Sequence, residues 1–169
     1  STSPGGFSIC TSTPVANNEC PYAVGLGINN NGDCPANATA STTLGSTASG
    51  TNPCNGSASF DVWHSFYVGA SASVVINLSA SGAGGLGVQV FDGCPGTSIY
   101  CASGTTHTVA VTPFQTYYAK VFSTSAGGFD ICVNYPPPVL DCLGILGGSA
   151  LPGTACDDSN ACTTGDTWN

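Results

Sequence analysis

Positive charge is almost missing from this chain: Lys120 is its only Lys or Arg among 169 residues, against Glu19 and eight Asp, for a formal net charge of −8. Nucleic-acid binding is thereby excluded, because counterion release needs several cations arranged along a phosphate backbone. Charge of either sign is scarce, at 6% of residues, while 41% are hydrophobic, so the chain is not a self-repelling disordered polyelectrolyte. Met is absent, and the good helix formers Glu, Lys, Arg and Gln are nearly so, which argues against a helical bundle. No apolar run approaches the length of a membrane-spanning helix. No signal peptide is visible and the chain begins at Ser1 rather than Met, so it is read as processed or excised from a longer polypeptide.

Short runs of Val, Ile, Thr, Tyr and Phe are present instead, punctuated by Gly, Pro, Asn and Ser. The strongest is SFDVWHSFYV at 59–68, where Phe60, Val62, His64 and Phe66 alternate with Trp63, Ser65 and Tyr67. Further strands are expected at 73–79, 86–93, 97–102, 106–112, 116–123 and 128–135. Turns recurring about every ten residues fit an antiparallel, jelly-roll-like β-sandwich rather than βαβ units. Residues 29–57 read as a long loop or two weak strands.

Ten cysteines, an even number in a chain with two His, indicate disulfides and an oxidising, extracellular compartment. Zinc is the weaker reading, because no CxxC pair is present. Cys94 and Cys101 flank a turn and are expected to pair. A Cys34–Cys54 bridge would cinch the long loop, and Cys20–Cys132 would tie the ends of the module together. Cys142 and Cys156 are counted among the bridged cysteines, while Cys10 and Cys162 are left for intermolecular bonds.

The strand pattern stops at PPPV, a stiff spacer. Four segments follow: an N-terminal strand and linker (1–16), the sandwich (17–135), the Pro-rich spacer (136–140) and a Cys/Asp-rich segment (141–169). In that last segment Asp157, Asp158, Asn160 and Asp166 offer hard oxygen ligands on one loop, as Ca²⁺ requires; the alternative is a solvated acidic turn held by Cys156 and Cys162.

NNEC at 17–20, DVWHSF at 61–66, QTYYAKVF at 115–122 and GGFDIC at 127–132 resemble the strands of secreted bacterial β-sandwich modules. These modules are of the pre-peptidase C-terminal type, found in surface proteins of Bacteroidetes-type bacteria. The Cys/Asp-rich segment is similar to a linker in the same proteins, reminiscent of thrombospondin type 3 repeats. It departs from that pattern at Ile145 or Leu146, where a Cys is expected. The resemblance implies a non-catalytic accessory module and adds weight to a calcium-binding tail.

GGFSIC at 5–10 nearly repeats GGFDIC at 127–132. With one copy closing the sandwich, Gly5, Gly6, Phe7 and Ile9 are expected to form a strand in a preceding module or a neighbouring copy, joining units by strand addition. The function expected is therefore structural or adhesive: a repeating unit of a filament, sheath or long surface protein, whose partners are other copies or neighbouring modules. A carbohydrate-binding accessory domain is the alternative, with Trp63, Tyr67, Tyr117 and Tyr118 as a platform for glycans, or else as core aromatics. The sequons at Asn37, Asn55 and Asn77 read as chance in a bacterial chain.

Catalysis is not expected. His64 shares the apolar face of its strand, His107 reads as a surface strand position, and no GxSxG elbow is present. Asp61, Asp92 and Asp130 are available for glycosidase-type chemistry, but Asp61 and Asp130 read as strand-start or strand-surface carboxylates, and no Glu beyond Glu19 exists to act as a tuned acid.

Overall fold

The structure is a computed structural model that describes residues 15–50 and 59–138. The chain divides into two compact units, Ser1–Tyr135 and Pro136–Asn169, and only residues 136–138 of the second are described. The first unit is an all-β sandwich of two sheets.

After a 3₁₀ turn at Cys20–Tyr22 come β1 (Val24–Leu26), β2 (Ile28–Asn29), β3 (Thr39–Thr42), β4 (Phe60–Tyr67) and β5 (Ser73–Ala80). The chain continues with β6 (Gly87–Phe91), β7 (Ser98–Ser103), β8 (Thr106–Ala110), β9 (Thr116–Ser123) and β10 (Gly128–Asn134). Sheet A runs β1-β4-β9-β6-β7; sheet B runs β2-β10-β5-β8, with β3 also paired to β10. One short segment serves both sheets. Val24 pairs in parallel with His64 in sheet A, and Ile28, four residues on, pairs in parallel with Val133 in sheet B.

Alternation along the strands builds the core. Val62 and Phe66 of β4, Val74 and Ile76 of β5, Val88 and Val90 of β6, Ala119 and Val121 of β9, and Phe129, Ile131 and Val133 of β10 are all buried between the sheets. Each such Val, Ile or Phe contributes about 1.5–3 kcal/mol when removed from water. Phe66 stacks on Tyr117 at 6.0 Å between ring centroids.

GGFDIC is explained by its place in β10. A side chain on Gly127 would collide with the backbone of Gly82 and Ala83, and one on Gly128 with Ser81. Phe129 and Ile131 enter the core, and Cys132 faces outward into a disulfide. The second copy, with Cys10, Gly5, Gly6, Phe7 and Ile9, lies outside the described residues, as do Cys142, Cys156, Cys162 and the four expected calcium ligands.

The disulfides differ from the expected pairing. Cys20 bonds Cys94 and Cys34 bonds Cys132, so the Cys20–Cys132, Cys34–Cys54 and Cys94–Cys101 bridges are all corrected. Cys101 is disulfide-bonded as well. Cys20–Cys132 fails because Cys132 faces out from sheet B while Cys20 lies beside sheet A, and packed sheets stand about 10 Å apart. Cys94–Cys101 fails because of register. Gln89 opposes Cys101 deep in the hairpin and Phe91 opposes Ser98, leaving Cys94 out in the turn. At ~3.3 Å per residue the two cysteines are then separated by more than the ~7 Å between Cα atoms that a bridge spans. Cys34 folds instead over the outer face of sheet B, where Asn29 Nδ2 also donates to Cys132 Sγ at 3.3 Å.

Candidate functional site

The outer face of sheet A departs from ordinary sandwich patterning. Asp61 and Trp63 of β4, Gln89 of β6, and Lys120 and Phe122 of β9 point away from the core, yet all are buried. The register sets Trp63, Lys120 and Gln89 side by side across three strands. Residues 15–20 and 43–50 supply a third layer over them. Asn17 sits at the edge of β4, its side-chain Nδ2 donating to the Trp63 carbonyl and its own carbonyl accepting from the Trp63 backbone N–H, both at 2.8 Å.

Ser49 is the hub of this layer. Its backbone N–H donates to Asp61 Oδ2 at 2.8 Å, and its hydroxyl donates to Asp61 Oδ1. The Trp63 indole N–H donates to the same hydroxyl oxygen at 3.0 Å, and Lys120 Nζ donates to the Ser49 carbonyl at 3.4 Å. The Lys120 ammonium also lies 5.8 Å from the Trp63 ring centroid and 5.9 Å from that of Phe91, a double cation–π contact. Burial raises the pKa of Asp61, opposed by the Ser49 bonds and by Lys120; burial lowers that of Lys120, opposed by Asp61. The chain's one side-chain cation is therefore a buried structural group.

Beside this hub opens a cleft of about 550 Å³. Trp63 and Phe91 contribute two tilted rings 5.1 Å apart. One wall carries Glu19 and Cys20, another the backbone around Gly93, Pro95 and Gly96, and Ala48–Gly50 closes a third side. The Cys20–Cys94 bridge joins the first two walls. Asn18 Nδ2 donates to Glu19 Oε1 at 3.1 Å and steadies that carboxylate.

The other sequence candidates scatter. Of the four aromatic residues, Trp63, Tyr67 and Tyr118 share the outer face of sheet A, whereas Tyr117 points inward, its hydroxyl accepting from Thr112 N at 2.7 Å and donating to Gln115 Oε1 at 3.1 Å. His64 is buried, its ring edge-on to Phe129 at 6.1 Å, and burial lowers its pKa to about 4. His107 is not on the surface as expected; it is 2% exposed. It shares the inward face of β8 with Val109, and its ring nitrogens lie 3.2 Å from the Tyr100 hydroxyl and 3.0 Å from the Gly104 carbonyl. Asp61 lies at the start of β4, as expected, but is buried there rather than at the strand's surface. Asp92 accepts from Thr97 N in the β6–β7 turn, and Asp130 lies on sheet B, so these carboxylates do not converge. Among the described residues no group of three or more His, Cys, Asp or Glu side chains is placed to hold a metal.

Ser49 and Phe91 were not picked out by sequence, and Lys120 and Glu19 were singled out there for their charge, not as parts of one site. The signal available was the alternation itself, which sets Lys120 on the same outward face of β9 as Tyr118.

A loop-covered, disulfide-clamped sandwich with an aromatic-lined surface cleft has the architecture of an extracellular accessory module. The chain belongs to the T9SS-associated family of galactose-binding domain-like proteins, whose family model matches residues 16–130. It is also similar to the pre-peptidase C-terminal domain of a collagenase from Bacillus anthracis, solved at 1.0 Å. That likeness is at 13% identity with a TM-score of 0.42, over 66% of this chain and 93% of that one. No curated protein matches the chain. The family and the disulfides together define a secreted or surface domain. No helix among the described residues is long and apolar enough to cross a membrane.

Proposed function

We propose that this domain is a non-catalytic adhesive module that holds a carbohydrate in the cleft on sheet A. The observation that carries this reading is the half-buried Phe91 beside the largely buried Trp63, set in a cleft whose other lining is small residues (Cys20, Ala48, Pro95 and three glycines), Ser49 and the Glu19 carboxylate. Aromatic faces receive the apolar C–H side of a sugar ring, while backbone groups and a carboxylate exchange hydrogen bonds with its hydroxyls. The galactose-binding-like family description points to the same ligand class. Titration with neutral oligosaccharides should change the fluorescence of Trp63, recorded in a Trp168→Phe background so that one indole reports. Phe91→Ala should weaken binding about ten-fold, the effect of losing about 1.4 kcal/mol of ring contact. A silent Trp63 signal across a glycan panel would count against the cleft as a sugar site.

Assembly of copies by strand addition is the second reading. It is supported by β7 and β8, each paired on one side only among the described residues, with Ile99 of β7 exposed. On this reading the calcium ligands of the tail and the bridges from Cys10 and Cys162 belong to joining units rather than to the cleft. Deleting residues 1–12 should leave a folded but monomeric protein by light scattering; unchanged assembly of the truncated chain would exclude the N-terminal segment as the donated strand.

A further inference from the structure

We infer that the cleft on sheet A discriminates by charge, accepting uncharged sugars and rejecting acidic ones such as uronates; this rests on the carbohydrate reading of that cleft. Recognition of an anionic sugar ordinarily uses an Arg fork or a Lys ammonium at the ligand. Here the chain's only Lys or Arg is Lys120. Its ammonium is already committed to the Ser49 carbonyl, the Trp63 and Phe91 rings and the field of Asp61, and the residue is 3% exposed. It does not line the cleft. The charge that does line it is the exposed carboxylate of Glu19, braced by Asn18. A ligand carboxylate would lose its water, gain no cationic partner and face a fixed negative group, within the field of a chain of net charge −8. A neutral hexose meets none of these penalties, and its hydroxyls can donate to Glu19.

The test uses matched probes that differ at one carbon: galactose oligomers and galacturonate oligomers of equal length, titrated calorimetrically into the full chain. The galacturonate oligomer should bind at least about ten-fold more weakly at about 20 mM salt, and the gap should shrink at about 500 mM as the Debye length contracts. Glu19→Gln, a change on an exposed side chain that should not disturb folding, should narrow the gap at low salt by tightening galacturonate binding several-fold, while the neutral sugar, which loses a charged acceptor for its hydroxyls, binds somewhat more weakly. Galacturonate binding as tightly as its neutral partner would overturn the inference while leaving the sugar site standing. A gap indifferent to both salt and Glu19→Gln would overturn it as well. Binding of neither oligomer, with Trp63 fluorescence unmoved, would remove the carbohydrate reading and this one together.

Discussion

Replacing Cys34 and Cys132 together with alanine should destabilise the domain by about 4 kcal/mol, a large fraction of the total for a domain of this size. The bridge spans 98 residues of sequence and crosses the Cys20–Cys94 bridge, which spans 74. Through the Cys20–Cys94 bridge, the covalent loop that Cys34–Cys132 closes is roughly fifty residues. Chain entropy alone then gives a stabilisation near that figure. Because Cys34–Cys132 holds the β2–β3 loop on sheet B, amide exchange should rise first in residues 28–42 and only later in β4 and β9. Guanidinium unfolding of the double variant checks the magnitude; a loss below about 1 kcal/mol would show that β3 and Asn29 hold the loop without the bridge. Removing Cys20 and Cys94 should act elsewhere, loosening the walls of the cleft and weakening sugar binding while sheet B keeps its protection.

Acidification from pH 6.5 to about 4 should remove about 3 kcal/mol of stability through His64 alone, since its pKa falls from 6.5 in the unfolded chain to about 4 in the fold. Above pH 6.5 both states hold the ring neutral and His64 has no pH-linked effect. Below it the unfolded chain takes up a proton that the buried ring refuses, so stability declines until the folded ring also titrates. The site gives the proton nothing to bond to: Nδ1 has no hydrogen-bond partner and Phe129 packs against the ring. His107, also depressed by burial, adds a contribution of the same sign. Asp61 opposes both, because its raised pKa lets the folded state keep a proton that the unfolded chain has released, so its contribution falls as pH rises above 3.8. Comparing urea unfolding of the parent and His64→Leu across this range isolates the ring. Parallel pH profiles for the two proteins would show that His64 is not the acid-sensitive group.

The seven principal strands were legible because each is a local fact. Alternation in FDVWHSFY sets Val62, His64 and Phe66 on one face whatever lies opposite, and the turns at Gly84–Gly85 and Gly93–Gly96 interrupt it audibly in the sequence. His64 as a core residue follows from the same alternation. His107 obeys the same rule, since its i+2 neighbour Val109 is buried, but a single apolar neighbour in THTVA did not outweigh the polar residues around it.

Disulfide pairing was beyond local reading. Sequence established an even, oxidised set of cysteines, but partners are chosen by which outer face each loop covers, and that depends on the segment from β1 to β2 changing sheets between Leu26 and Ile28. The cleft was hidden for the same reason. Trp63, Phe91 and Lys120 come from three strands far apart in the chain, and only the β4–β9–β6 register sets Trp63 and Lys120 in one row with Gln89, and Phe91 in the next outward position of β6. Ser49 looked like one more serine in a polar stretch until the 43–50 loop was laid across that row. Composition alone determined that at most one Lys or Arg could serve a ligand, because Lys120 is all the chain has. That this Lys lies buried against two rings, with an exposed carboxylate in the wall of the cleft, was decided by tertiary structure, because long-range packing sets which charges are desolvated and which still face water.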